Sequence, residues 1–143
     1  MKIVIDAYAW VEFFIGSEKG FKVKEILEVA DEVYTPDTVL AEVARKYIRE
    51  GADVKTVAAR LETITATSIV MPIDAKMALE AAKCYLELVE HARKAKQSQP
   101  SLFDAIVLAT GRVLKSKIVT GDEHFRNMPE IVWLDWSSAD NRK

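Results

Sequence analysis

The chain reads as an α/β domain, a three-layer sandwich with a central parallel sheet of about five strands flanked by helices. Three observations predict this. Short apolar runs alternate with helical patterns from end to end. The first run, Ile3-Val4-Ile5, is apolar at consecutive positions, as in a strand covered on both faces. The length of 143 residues, half of them hydrophobic, suits one domain around one core.

Lys2 to Asp6 is the first strand, and Tyr8 to Ile15 a short helix that stops at Gly16. Phe21, Val23, Ile26, Leu27 and Ala30 recur at helical spacing and predict a helix over 21–30 with those residues inward. Glu32 to Thr35 is a short strand. Thr35 is placed to cap the next helix, with Pro36 at its first position, and Gly51 ends that helix after Glu50. Asp53 to Ala66 carries a stripe of Val54, Val57, Ala58, Leu61 and Ile64. Ser68 to Met71 is a strand closed by Pro72. Asp74 caps a long helix to Ala95, and a loop over 96–100 leads to a helix from Ser101 to Lys115. Lys117 to Thr120 and Ile131 to Leu134 supply the last strands. Residues 1–135 form the domain, and 136–143 form a polar tail that frays.

Composition narrows the function. Charged residues make up 29% and the net charge is −2, which neither favours nor excludes nucleic acid, because binding needs a local basic surface. No run approaches the ~18 apolar residues of a membrane span, and no secretory leader is visible. Cys84 is the only cysteine, so a disulfide or thiolate metal site within the chain is excluded and a cytoplasmic location is expected. Its helical neighbours Ala81, Ala82 and Leu86 make it a core filler.

In parallel sheets, sites form beyond the carboxyl ends of the strands. Asp6 ends the first strand there, and Asp122 follows the fourth through Gly121. Each could equally cap the turn that follows it. Asp104 stands in Ser101-Leu102-Phe103-Asp104, which has capping-box spacing before an apolar run, so a structural role is open for it too. Glu42 lies about 60° outside the stripe of Val39, Leu40, Val43 and Tyr47, counted at ~100° per residue. Together the four weigh more than singly. Like charges ~4 Å apart at an effective dielectric of ~20 repel by about 4 kcal/mol per pair before screening. A fold that gathers four carboxylates therefore wants cations or protons. All-oxygen donors suit the hard ions Mg²⁺ or Mn²⁺ better than Zn²⁺, and two such ions would cancel four charges.

These residues resemble the PIN-domain nucleases and, within them, the VapC-type toxins of prokaryotic toxin–antitoxin pairs. Ile3-Val4-Ile5-Asp6-Ala7-Tyr8-Ala9-Trp10 is similar to the family's first motif. Pro36 through Glu42-Val43 resembles the second, Ser101 through Ala109 the third, and Thr120-Gly121-Asp122-Glu123-His124-Phe125 the fourth. The likeness runs from Met1 to Asp135. It implies a PIN-like sandwich, a divalent metal, RNA cleavage by metal-activated water, a homodimer and an antitoxin partner. Carried over by position, Asp6, Glu42, Asp104 and Asp122 are the metal-holding, catalytic acids, and Thr120 orients a ligand or water near them. Tyr8 departs from the pattern, because the family often has a small hydroxyl or amide residue there.

Ser101 is a supporting residue through its cap. Arg45 on the Glu42 helix, and Arg93 and Lys94 before the loop into Ser101, are candidates for RNA phosphates. His91 reads as a surface residue, no histidine is required for the chemistry, and Glu123 is a doubtful fifth acid. Trp10 and Phe14, one helical turn apart, are packing residues first and candidates for a dimer or antitoxin face second. A phosphate-handling enzyme with Asp6 as nucleophile is the first competing class. The sequence lacks the second acid two positions on, where Tyr8 stands, and lacks a receiver-type acid pair with a Lys beyond the last strand. A non-catalytic module that binds RNA or protein on the same fold is the second, and the presence of all four acids weighs against it.

Overall fold

The computed structural model describes residues 1–134; the tail expected over 136–143, with Asp135, lies outside the described residues. Five strands form one parallel sheet in the order β3-β2-β1-β4-β5. They are β1 (Lys2–Ile5), β2 (Glu32–Pro36), β3 (Ile69–Met71), β4 (Lys117–Thr120) and β5 (Ile131–Trp133). Six α-helices connect them: α1 (Ala7–Ile15), α2 (Glu18–Val29), α3 (Asp37–Arg49), α4 (Val54–Thr67), α5 (Ala75–Lys94) and α6 (Leu102–Leu114). The expected sandwich is therefore the observed one.

The central strand explains the layering. Ile3, Val4 and Ile5 are all fully buried, so both faces of β1 need a cover. Strands β2 and β3 build outward on one side of it, and β4 and β5 on the other. The chain reverses its direction of growth between β1 and β4, which makes their carboxyl ends the switch point of the sheet. Ile5 pairs with Val119 in register, so Asp6 and Thr120 emerge side by side.

Helix α6 runs in the core, with every residue from Ala105 to Gly111 buried. Helix α5 lies against it through Met77, Ala81, Cys84, Leu88 and Ala92, spaced as one apolar stripe. Cys84 is a buried core filler as expected, packed on the stripe with Ala81, while Ala82 and Leu86 are exposed.

Several local expectations are corrected, among them Val54 and Ala58 of the expected α4 stripe, which are exposed. Helix α2 begins at Glu18, capped by Ser17, whose hydroxyl accepts from the Gly20 N–H. The buried position in its first turn is Gly20, and Phe21 is 60% exposed, not part of the inward stripe. Pro36 ends β2 and precedes α3 with no side-chain cap, because Thr35 is occupied elsewhere. Its buried hydroxyl accepts from Trp10 Nε1 at 3.1 Å and lies 2.7 Å from Ser68 Oγ. The Ser68 hydroxyl donates to the Ile64 carbonyl, so Thr35 is the donor to Ser68. This buried chain ties α1, β2 and α4 together. Trp10 is itself fully buried, stacked 6.0 Å from Phe14, and is no part of an exposed face.

The contact of α1 with α2 depends on Gly20. A Cβ there would lie 2.1 Å from the Glu12 carbonyl oxygen, a backbone atom that cannot swing away. Gly20→Ala is expected to lower stability by about 1–3 kcal/mol in urea unfolding; an unchanged midpoint would mean that the two helices do not meet this closely.

Candidate functional site

Each acid is aimed by its own local structure. Asp6 is the N-cap of α1: its Oδ1 accepts from the Ala9 N–H at 2.9 Å. Its Oδ2 accepts a short hydrogen bond from the Thr120 hydroxyl at the end of β4. That hydroxyl in turn accepts from the Asp122 N–H at 3.0 Å. Thr120 thus links the carboxylate after β1 to the backbone of the acid after β4. Asp104 sits at the third position of α6 in a reciprocal capping box, its Oδ2 accepting from the Ser101 N–H at 2.9 Å while its own N–H donates to Ser101 Oγ at 3.1 Å. Capping and site-building coexist here, because the cap fixes the turn that carries the carboxylate. Glu42 is half-buried on α3, beside the buried stripe of Val39, Val43 and Tyr47.

The four carboxylates form one electrostatic unit. Burial, with Asp122 and Glu42 repelling, pushes the Asp6 carboxyl up to about 8 despite the two hydrogen bonds it accepts. Burial and the charge of Asp104 push Glu42 to about 7, against the pull of Arg45, with Asp122 adding to the rise. Asp104 is raised by burial and by Asp122, against the Ser101 N–H and His124. Acids far apart in sequence act on one another beyond the carboxyl end of the sheet.

His124 completes the group, and the sequence reading undervalued it. Its Nδ1 lies 2.9 Å from Asp122 Oδ1 and 3.8 Å from Asp104 Oδ2. Its Nε2 lies 3.0 Å from the Ser98 carbonyl oxygen and 3.3 Å from Ser98 Oγ. A carboxylate and a carbonyl only accept, so both ring nitrogens donate and the imidazolium is favoured. Burial alone would lower its pKa, but the Asp122 charge and the bonds to Asp122 and Ser98 outweigh it and raise it. His124 stands as a counter-ion to two of the acids. Its position two residues past Asp122, in a short helical turn whose cap is Asp122 itself, was the available signal.

The remaining candidates separate. The Arg45 guanidinium sits 5.8 Å from the Phe103 ring centroid and acts on Glu42. Arg93 forms two hydrogen bonds to Glu90, and Lys94 is 3.9 Å from the same carboxylate, so both turn to α5's own exposed side. Glu123 faces Arg126 at 3.5 Å and is not drawn into the cluster. His91 is half-buried with Nε2 3.1 Å from the Arg126 carbonyl oxygen, less exposed than expected.

A hard cation fits this donor set. Oxygen ligands converge, their pKa values are raised by burial first and by mutual repulsion second, and ligand atoms of Asp104, Asp122 and His124 lie within 4.8 Å of one another. With both His124 nitrogens engaged, the carboxylates are the natural ligands.

The acids gather at the switch point of a five-stranded parallel sheet, and comparison with known proteins gives the family. The PIN domain family model matches residues 3–131, and the chain belongs to that family. Among solved structures, it is similar to DNA-bound VapBC from Salmonella typhimurium, with a TM-score of 0.70 and 16% identity over 94% of this chain and 99% of that one. It is also similar to a toxin–antitoxin complex from Klebsiella pneumoniae (TM-score 0.67, 18% identity, 93% and 98% covered). A third is Mycobacterium tuberculosis VapC20, described as a sarcin–ricin loop cleaving toxin (0.65, 19%, 86% and 92%). The fold is thus that of VapC-type toxins. No curated protein matches the chain by sequence.

The raised carboxyls make metal-free stability fall with pH. A folded-state pKa above the unfolded value means that the native protein holds the extra proton, so stability drops as pH rises from about 4 to about 8 for Asp6. In chelator, the thermal midpoint is expected to decline across that window, and less steeply in Asp6→Asn. A midpoint that climbs over the same range in both proteins would refute the shared burial of these acids.

Proposed function

We propose that the chain is a metal-dependent endoribonuclease, the toxin of a type II toxin–antitoxin pair, acting on RNA in the cytoplasm with Mg²⁺ or Mn²⁺. The observation that carries this reading is the electrostatic coupling of Asp6, Glu42, Asp104 and Asp122 at the switch point. These four carboxylates would hold the ion. A bound divalent ion would supply charge neutralisation, a water of lowered pKa and polarisation of the scissile phosphate.

The protein's own groups do the rest. Thr120 fixes the Asp6 carboxylate and the start of the Asp122 turn, and Ser101 fixes Asp104. A carboxylate of the cluster accepts the proton of the attacking water as its oxygen bonds in line to phosphorus and the opposite bond, from phosphorus to the leaving ribose oxygen, breaks, that oxygen taking up a proton from solvent. His124 holds positive charge against Asp122 and Asp104, which keeps the acids close before RNA arrives. Arg45, at the mouth beside Glu42, contacts a backbone phosphate. Arg93 and Lys94 remain weaker candidates for the same task.

The partner proposals rest on two supports. Neighbours of the same fold are described as toxin–antitoxin complexes, which supports a cognate antitoxin. Leu79 and Leu86, two turns apart on α5 and 67% and 71% exposed, give a homodimer an apolar surface. No helix among the described residues is long and apolar enough to cross a membrane.

Incubation of a mixed RNA pool with the protein and Mn²⁺ tests the central proposal. Cutting is expected, with a loss on the order of a hundredfold or more in Asp6→Asn and abolition by chelator. Equal cutting by the variant would assign the activity elsewhere, and RNA left intact by the wild type would favour the non-catalytic module.

A further inference from the structure

Two clefts flank the acids, and Tyr8 lines both. One, of about 520 Å³, runs between α1 and α3 from Glu42 past Arg45 and Arg49. The other, of about 440 Å³, is lined by Tyr8, Lys19, Gly121, Asp122, Glu123 and Trp133. The second has no part in the reading above, yet it opens directly on Asp122.

Its inner wall is built. The Lys19 ammonium donates to Tyr8 Oη at 2.7 Å and lies 5.4 Å from the centroid of the Tyr8 ring. With Oη accepting, the phenolic O–H stays able to donate. The ring lies against Gly121: a Cβ on that residue would fall 2.3 Å from Tyr8 Cε1 and 3.0 Å from Oη. The absence of a side chain at 121 is what lets a large aromatic residue sit beside Asp122. Tyr8 and Gly121 are thus a matched pair, and Tyr8 is the position where the sequence departs from the family's small polar residue. Trp133 adds a second aromatic side chain to the same cleft.

An aromatic face, a cation and a phenolic donor, side by side at the edge of a phosphodiester-cleaving centre, match the parts of one nucleotide. Bases of single strands stack on aromatic side chains, and backbone phosphates take Lys or Arg. We propose that Tyr8 and Lys19 form a seat for one nucleotide of single-stranded RNA next to the scissile phosphate, its base against the Tyr8 ring and its phosphate on Lys19. The strand then crosses the acids and leaves along the α1–α3 cleft, past Arg45. A double helix is excluded from the seat, because its stacked bases cannot reach a ring set beside the acids. This seat deepens the ribonuclease reading and rests on it for the choice of RNA.

Binding without cleavage tests it. The probe is a fluorescein-labelled single-stranded RNA of about ten nucleotides, titrated by anisotropy in EDTA at several salt concentrations. Replacing Lys19 with Met should weaken binding several-fold and shrink the slope of log affinity against log salt by about 0.7, the amount for one phosphate contact on a single strand. Lys19→Arg should restore the slope. Tyr8→Leu should lose about tenfold in affinity, while Tyr8→Phe, which keeps the ring, should lose much less. Thermal midpoints of the four variants show that each is folded. An unchanged slope in Lys19→Met, equal losses in Tyr8→Leu and Tyr8→Phe, or no binding by the wild type would overturn the seat. Mn²⁺-dependent cutting that Asp6→Asn abolishes stands or falls separately, so failure of the seat and failure of the nuclease are distinguishable.

Discussion

Four carboxylates act on one another where the central strand of the sheet gives out, and the cost of burying and gathering them is the constraint on which the site depends. Nothing in the packing of a small α/β core requires that. Ile3, Val4 and Ile5 would bury as well with a neutral residue after them. Instead the site takes on unfavourable charge and tempers it locally. Asp6 is fastened by Ala9 and Thr120, Asp104 by Ser101, and Asp122 by its own turn and by His124. These bonds temper the cost of burying and gathering the acids without removing it, and the Asp6 and Glu42 carboxyls stay raised, by burial first and by neighbouring acids second. A divalent cation would remove the remainder.

Much of this was legible in the residues. Consecutive apolar positions in β1 give a strand covered on both faces, and two acids placed just after strands must lie at one end of a parallel sheet. Asp104 was visible through its capping spacing, which the structure keeps. What escaped was long-range. Thr35 looks like a cap because the residues beside it suit a helix start. Its hydroxyl is spent on Trp10 and Ser68, which lie 25 and 33 positions away. The same bond carries Trp10 inside. Phe21 was assigned inward from period alone, whereas the close approach of α1 admits only a glycine at position 20 and turns the ring outward. His124 was passed over because the expected chemistry requires no histidine, and only its contact with Asp122 is local. Its value comes from Asp104 and Ser98, some 20 and 26 positions earlier.

The fold and the site point the same way, but by different routes. Membership of the PIN domain family follows from the sequence match over residues 3–131, and the resemblance to VapC-type toxins in structure follows from the sheet order and its helices. The proposed chemistry rests on the donor set. Clefts on either side of Tyr8 give the acids two open approaches. The pairing of Tyr8 with Gly121 shows how one departure from a family pattern can be absorbed by its neighbour.

Calorimetric titration of the metal-free protein with Mn²⁺ at neutral pH, repeated in buffers of different ionisation heat, probes the convergence most directly. Saturable binding accompanied by proton release is expected, because carboxyls held protonated by burial and by one another must lose protons to bind an ion. Asp6→Asn should weaken that binding and reduce the protons released. Absence of a binding isotherm, or one that the substitution leaves untouched, would contradict a shared cation site.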